Sequence, residues 1–553
     1  MAYGKFEVLK AFSVEYRYLF NILGTMILWI WFTVLFSVLV LYLRRVYTRF
    51  SRYNIKHLPP VPLLGNAWKS IVRYQHFVES MNTLYSSFPN ERFVGQYDFI
   101  TPMVLLRDIE LIKQVTVKDF EQFLDHRVFI DENNDPFFGS NLFALKGQKW
   151  KDMRSTLSPA FTSSKIRLMV PFMVEVGDQM VASLKKKLKE NGFLDIKDLS
   201  TRYANDVIAT CAFGVKVDSM MDEDNDFYAM AKHTNNFTFY RMMKFFGFIC
   251  MPTIMNKLKV QLIPTNVQTF FTELVLGTMK KREENSIIRP DMVHLLMEAK
   301  KGKLAYDQKI KDENAGFATV EESTVGKKSN NRVWSDTDLI AQAILFFMAG
   351  FDTVATAMTF LLYELAINPE CQDKLFQEIK GTEIENFDYN AIQKLKYLDM
   401  VVSETLRKWP AAVAADRTAL KDYNIGKPND KTADDYIIRK GEGVWVPIFC
   451  IQRDPKYFEN PDKFDPERFS EENKYKIIPN TYMPFGNGPR NCIGSRFALC
   501  EIKVMVYQLI KAMEVQPCEK TCIPPVLSTE NFNLRLKGGH WLKVTNRQIR
   551  VTY

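Results

Sequence analysis

Between Arg17 and Arg44 the chain runs for 26 residues without a charge, YLFNILGTMILWIWFTVLFSVLVLYL, residues 18–43. As an α-helix this run is about 39 Å long at about 1.5 Å per residue, more than the roughly 30 Å of a bilayer's hydrocarbon core. A helix pairs every backbone N–H and C=O within one segment, which the inside of a bilayer demands. A cleaved signal peptide has an apolar region of only about 7–15 residues and a small-x-small cleavage site, and neither feature is present. The run reads as a permanent transmembrane signal-anchor. Arg44, Arg45, Arg49, Arg52 and Lys56 follow it, while Lys5, Lys10 and Arg17 precede it, diluted by Glu7 and Glu15. This asymmetry places the C-terminal side in the cytosol and leaves residues 1–17 as a short lumenal N-terminus. No later segment reads as a second span, so the remainder is a cytosolic body on one tether.

The body is large. The chain has 553 residues and a hydrophobic fraction of 47%, enough for an extensive core. A net charge of +9 is modest at this length. It suits acidic partners or anionic lipid and gives no argument for nucleic acid. Eight cysteines, none in a C-x-x-C pair, exclude a disulfide scaffold and a zinc ribbon and fit a reducing compartment. Residues 44–66 read as a basic, then Pro-rich linker, with three prolines in four positions of HLPPVPLLGN stiffening it. Residues 67–553 form the body. Most of it has helical patterning, with a β-like patch at RFVGQYDFITPMVLLRD and short strands after Pro410. The aromatic, Met-rich stretch 237–252 is either buried core or a membrane-facing surface that lines an entry for apolar ligands. Residues 298–332 are polar and aperiodic and read as a mobile loop without a catalytic constellation.

One loop stands apart: PFGNGPRNCIG, Pro484 to Gly494. A thiolate persists near neutral pH where a helix start offers it unpaired N–H groups and the positive dipole end. Ile493, Phe497, Cys500 and Val504 form one apolar face of a helix expected to begin at Cys492. Gly486, Gly488 and Gly494 let backbone approach something bulky and flat. Phe485 can pack beside the sulfur, and Arg490 can meet an anionic group. A flat apolar object with a metal at its centre and carboxylates at its edge is a haem.

Phe485-x-x-Gly488-x-Arg490-x-Cys492-x-Gly494 resembles the haem-binding loop of the cytochrome P-450 superfamily. Five more segments support the resemblance. Ala349-Gly350-Phe351-Asp352-Thr353 lies in a long apolar helix, Ala341 to Leu365, with a capping-box-like start at Ser335 and Asp338. Glu404-x-x-Arg407 and Asp465-Pro-Glu-Arg468-Phe supply a Glu-Arg-Arg set. Trp150-x-x-x-Arg154 places an indole and a guanidinium one turn apart. Phe123 to Arg127 is the last. Gln452-Arg453-Asp454-Pro455 departs from the His-Arg-Asp-Pro common in the family.

The resemblance implies a mainly α fold with smaller β-sheets, the cytochrome P-450 fold, behind a single N-terminal transmembrane helix. It implies haem b with Cys492 as axial thiolate and metal ligand. Cofactor contacts would come from Arg490, Trp150, Arg154, Arg417, Phe485, Gly494 and Ala349, and from His126 in preference to Arg127. Asp352 and Thr353 would deliver protons for oxygen activation, with the small pair Ala349 and Gly350 leaving room for O2. Leu345, Met348, Ala349 and Ala414 would line the substrate pocket, together with residues from 123–137, 237–252, 411–415 and 528–532. Glu404, Arg407 and Arg468 would be structural.

Closest in pattern are microsomal animal members, particularly insect detoxification enzymes and broad-specificity liver enzymes. This implies an endoplasmic reticulum membrane protein with a cytosolic catalytic domain. The activity implied is insertion of one oxygen atom of O2 into lipophilic xenobiotics by hydroxylation, epoxidation or dealkylation. Narrow action on an endogenous lipid or hormone is the alternative, and a haem-thiolate isomerase or dehydratase a more distant one. The chain has no G-x-G-x-x-G fingerprint opening a helix and no P-loop. The resemblance implies that NADPH acts through a separate membrane-bound flavoprotein reductase, with a b-type cytochrome as a further electron donor. Lys149, Lys151, Arg490 and Arg496 would contribute to a basic docking face for it.

Overall fold

The computed structural model describes residues 2–128, 130–188, 192–222, 224–235, 239–301, 316–320, 333–382, 387–531 and 533–547. An unbroken helix, Ala2–Tyr47, contains the uncharged run and extends past both its ends, so residues before Tyr18 continue the anchor helix. Trp29, Trp31 and Leu35 stand exposed on it, as lipid-facing side chains do.

The segment after the anchor is not a spacer. The Tyr47 hydroxyl donates to Phe99 O at 3.1 Å, and its ring meets Tyr97 edge-on at 5.1 Å. Phe50 is fully buried against Gly95, where a Cβ would lie 2.5 Å from the Phe50 ring. His57 and Gly65 form bridges to Gly95 and Asp98. The prolines stiffen a strap that lies on the body.

The strap lies on a four-stranded sheet of β1 (Phe93–Asp98), β2 (Thr101–Leu106), β7 (Gly443–Val446) and β4 (Ala415–Thr418), in that spatial order. β1 and β2 form an antiparallel hairpin in the stretch read as a β-like patch, β2 and β7 run parallel, and β4 closes antiparallel. Two smaller sheets join β3 (Phe193–Asp195), β9 (Trp541–Asn546) and β8 (Met513–Gln516), and β5 (Tyr423–Gly426) with β6 (Tyr436–Ile438).

The remaining body is helical, and the central helix Asp336–Ile367 is its axis. It packs against Ile196–Ile208, Thr265–Glu284, Lys396–Lys408 and the cysteine-loop helix Ser495–Ala512, which in turn packs on Ser163–Lys187. The capping box is present: Asp338 N–H donates to Ser335 Oγ at 3.1 Å, and Ser335 N–H to Asp338 Oδ2 at 3.1 Å. By length and apolarity this helix too could cross a membrane, contrary to the reading that no later segment could. Its burial inside the body makes it a core helix. The expected loop 298–332 lies mostly outside the described residues, apart from 298–301 and 316–320.

Candidate active site

The cysteine loop is shaped by backbone. Cys492 N–H donates to Phe485 O at 2.9 Å, and Gly486 and Gly488 have φ of +77° and +71°. A Cβ on Gly488 would lie 1.9 Å from Thr116 O. That glycine makes room for the 114–118 turn, not for a flat ligand. The helix begins at Ser495 with Gly494 as N-cap, later than the expected start at Cys492. The loop therefore aims the Gly494 N–H, ahead of the helix, at the sulfur. Burial pushes the Cys492 thiol up, while the Gly494 N–H and the Arg154 charge act in the opposite direction. Asn491 and Ser495 are buried, yet Cys492 is exposed. A thiol surrounded by protein but not covered by it is the wall of an internal gap. Phe485 is half-buried beside the main core cluster.

The facing wall is the central helix. Beyond its first turn, only Ala349 and Thr353 are exposed, one turn apart on one face. Phe161 ties the two walls together: it lies 3.7 Å from a Cβ built on Gly494 and meets Phe346 edge-on at 5.3 Å. Gly350 is not part of this gap, because its Cβ position points at Ile208 Cδ1, 3.1 Å away. The room beside Thr353 is left by Ala349 alone. Leu345 and Met348 are half-buried against the cluster built on the Thr265–Glu284 helix. Ala414 rests on the sheet cluster, and in its run the exposed alanine is Ala412. Phe123 is fully buried against Tyr423 and lines nothing, and Phe532 lies outside the described residues.

Thr353 Oγ donates to Ala349 O at 2.5 Å, which leaves its lone pairs toward the gap. Asp352 points elsewhere. Its carboxylate takes Lys197 Nζ at 2.9 Å, Asn533 Nδ2 at 2.5 Å and Arg535 at 3.6 Å. Burial acts to raise its pKa, but the Lys197 and Arg535 charges and the two hydrogen bonds outweigh it, and the group stays below the ordinary carboxylate range. The adjacent pair thus splits into a hydroxyl at the gap and an ionised acid on the far side.

A second constellation flanks the cysteine. Trp150 and Arg154 are buried on the helix Gly147–Leu157. Arg154 donates to Asn491 O and Oδ1, both at 2.8 Å. Arg490 lies over the Trp150 ring at 4.1 Å and donates to the carbonyls of Leu124, Leu142 and Leu145. Its side chain is only 4% exposed, so Arg490 cannot belong to a surface docking face. Lys149 pairs with Glu132 and Asp338, and Lys151 with Glu121, so neither is a free basic group. Arg417 is buried and donates to Asp416 O at 2.6 Å. His126 bonds Asp416 Oδ1 through Nδ1 at 2.9 Å, whereas the Arg127 guanidinium turns to Asp98 at 2.8 Å, so His126 is the one beside the arginines. Burial pushes His126 down despite Asp416, which favours the neutral ring. Burial, then repulsion from Arg417, brings Arg490 down to about 9. Three guanidiniums face two carboxylates, Asp125 and Asp416. A site of this charge fits an anionic group.

The structural set is assembled as expected. Glu404 and Arg407 pair at 2.7 Å with neither side chain exposed, and Arg468 reaches Glu404 at 3.4 Å. Gln452 fills the position where histidine is common: its amide N donates to Leu406 O and Arg407 O, and its oxygen accepts Met483 N–H at 2.8 Å. One side chain thus joins the Glu-Arg helix to the entry of the cysteine loop. Sequence reasoning missed Lys197, Asn533 and Arg535 around Asp352, and Asn491 and Asp416 among the arginines. Lys197, Asn533 and Arg535 lie far from Asp352 in the chain, and Asp416 and Asn491, though next to Arg417 and Arg490, act on the distant His126 and Arg154.

An exposed thiol at Cys492, an exposed hydroxyl at Thr353 and a buried arginine cluster beside the cysteine are the kinds of group a haem-thiolate site calls for. The family model described as Cytochrome P450 matches residues 56–542. The chain belongs to the cytochrome P450 family, the haem-thiolate monooxygenases. It is 44% identical over 541 residues to cytochrome P450 9e2 of Blattella germanica, covering 94% of this chain and 98% of that one. It is 43% identical over 512 residues to the probable cytochrome P450 9f2 of Drosophila melanogaster, covering 90% and 95%. Cytochrome P450 9c1 of the same fly is 38% identical, over 93% and 98%. These relatives match the insect branch that the sequence resembles.

Proposed function

We propose that the chain is a monooxygenase of the endoplasmic reticulum membrane that draws electrons from a separate NADPH-dependent reductase and puts one oxygen atom of O2 into lipophilic foreign molecules. The observation that carries this reading is the gap with bare Cys492 on one wall and bare Ala349 and Thr353 on the other. When bound, a thiolate-ligated haem supplies oxygen activation there. Cys492 Sγ would hold its iron, and Arg154, Arg417, Arg490, Trp150 and His126 would hold its carboxylate edge.

The chain's own residues handle the proton. Thr353 Oγ, with its donor committed to Ala349 O, accepts a hydrogen bond from whatever occupies the gap. Asp352 holds its charge against Lys197 and Arg535, and the Arg535 side chain is 40% exposed and so touches solvent. A proton entering by that side would reach Asp352; for Thr353 to pass it on, its hydroxyl releases Ala349 O, gives its own proton to the gap and takes the one from Asp352.

The membrane reading has support of its own. On the helix Phe239–Cys250, Phe248 is buried while Tyr240, Met243 and Phe245 are exposed, and Met251, Ile254 and Leu258 extend the apolar patch. Phe246 meets Phe99 at 5.5 Å, and Phe99 O holds Tyr47 at the end of the anchor. The patch and the anchor thus meet at one hairpin tip, as a surface resting on lipid requires.

The test is the carbon-monoxide difference spectrum of the dithionite-reduced protein. The strongly red-shifted Soret band of thiolate-ligated haem should appear, and should vanish in Cys492→Ala and Cys492→His. A histidine-type band that survives Cys492→Ala would overturn the assignment.

A further inference from the structure

Within the polar stretch 302–332 the described residues are Gly316 to Val320, and they are docked. Phe317 completes an aromatic triangle, with ring centroids 5.0 Å from Phe469, 5.4 Å from Tyr482, and 5.0 Å between those two. Phe317 N–H donates to Asp399 Oδ2 at 3.0 Å, and Asp399 is paired with the buried Lys503 at 2.7 Å. A Cβ at position 316 would lie 2.0 Å from Asp399 Oδ1, so any side chain there must displace the carboxylate that Phe317 N–H uses. Thr319 N–H closes a turn on Gly316 O at 2.9 Å, and Ala318 is buried in the main core cluster. A polar loop that merely joins two helices has no need of a glycine with no room for a side chain, a spent N–H and a buried ring edge.

The partners show what the docking acts on. Phe469 directly follows Arg468 of the Glu-Arg-Arg set. The Tyr482 hydroxyl donates to Ser403 O at 3.0 Å, beside Glu404. Tyr482 also precedes Met483, whose N–H is held by Gln452, and stands ten residues before Cys492. The chain entering the cysteine loop is therefore held from the inside by Ser403 and Gln452 and from the outside by Phe317.

We propose that Gly316 and Phe317 form a positioning wedge, by which this loop reaches across the body to set the entry of the cysteine loop and keep Cys492 in place as the haem ligand. The inference rests on Cys492 being that ligand. Phe317 touches neither the gap nor the sulfur and acts through Tyr482. Its loss removes an edge-to-face contact with Phe469 and a tilted one with Tyr482 and lets the 481–485 segment shift, so the thiolate bond should fail before the fold does.

The test uses the full-length, haem-loaded protein with Phe317→Ala, Phe317→Leu and Phe317→Tyr. As a control, Phe387→Ala removes an aromatic stack on Tyr507 (3.9 Å) away from this entry. The measurement is the rate at which the red-shifted carbon-monoxide band converts to the unshifted one in mild denaturant, with circular dichroism recorded in parallel. Phe317→Ala should convert about tenfold faster at unchanged helix content, from the loss of two aromatic contacts. Phe317→Leu should be intermediate, Phe317→Tyr should restore the wild-type rate, and Phe387→Ala should lose band and helix together. Conversion in step with unfolding in the Phe317 variants, or wild-type rates in Phe317→Ala and Phe317→Leu, would overturn the wedge. Absence of the red-shifted band from the wild type would instead overturn the haem-thiolate reading.

Discussion

Asp352→Asn separates two roles of one carboxylate. Asp352 and Lys197 are 2.9 Å apart with side chains 11% and 9% exposed. At an effective dielectric of about 20 their attraction is roughly 6 kcal/mol, most of which offsets the cost of taking both charges out of water. Breaking the pair from one side leaves Lys197 with Thr356 Oγ at 2.9 Å as a neutral acceptor, and the expected loss of stability is about 3–5 kcal/mol. Burial already holds the Lys197 pKa below its ordinary value, and losing the Asp352 charge removes the largest effect that raises it. Lys197→Met alone strands Asp352 less severely, since Asn533 and Arg535 remain. The double variant removes both charges and should be less destabilised than the sum of the singles by about 2 kcal/mol, as for a coupled pair. Urea unfolding followed by circular dichroism reads these terms. Turnover reads the other role: with the red-shifted band intact, Asp352→Asn should slow product formation by about 100-fold, a typical contribution of positioned proton transfer. Additive stabilities would refute the buried pair, and wild-type turnover in Asp352→Asn would refute proton delivery through this group.

Other perturbations have equally definite outcomes. Gln452→Ala leaves Met483 N–H and the Leu406 and Arg407 carbonyls without their partner and should cost about 2–4 kcal/mol, with haem loss on dilution as the readout. Glu404→Gln leaves buried Arg407 without its charge partner and should prevent recovery of haem-loaded protein, measured as the yield of the red-shifted band. Burial, partly opposed by the Asn205 and Ser219 donors, pushes the Asp206 carboxyl up to about 6. The folded protein then holds a proton that the unfolded chain releases, so stability should fall as pH rises from about 4 to about 6, by up to about 3 kcal/mol. Asp206→Asn should flatten that slope in melting temperatures taken across the window. Truncation after Tyr53 removes Phe50 from its seat on Gly95 and should cost about 3 kcal/mol relative to truncation after Arg44, in urea midpoints of the truncated chains.

The site was legible wherever chemistry is packed into a short stretch. Cys492 with its loop glycines, Trp150 with Arg154, and Glu404 with Arg407 declare themselves by spacing, and the structure places each inside the body as a group. Direction was not legible. Asp352 and Thr353 are neighbours in the chain but point about 100° apart around the helix, so one meets Lys197 and Arg535 while the other is left exposed. Gly350 and Gly488 looked like space for a ligand, but that space is taken by Ile208 and by the Thr116 carbonyl. Composition misled at the ends of elements: the prolines of 57–66 suggested a spacer, while Phe50 and Tyr47 on either side of the basic residues belong to the core. The polarity of 298–332 hid Phe317, one aromatic in a run of charges.

The bond between Tyr47 and the hairpin tip changes what the anchor is. A helix followed by slack chain would be a leash, and the body could roll on the membrane. Here helix, strap and sheet are joined without a hinge, through Tyr47, Phe50 and the bridges at His57 and Gly65. The anchor acts as an axle: the tilt of the helix in its bilayer sets the attitude of the whole body. A thicker membrane, which stands such a helix more upright, would turn the body with it, and on the proposal that the apolar patch rests on lipid, bilayer thickness would set how deep that patch lies.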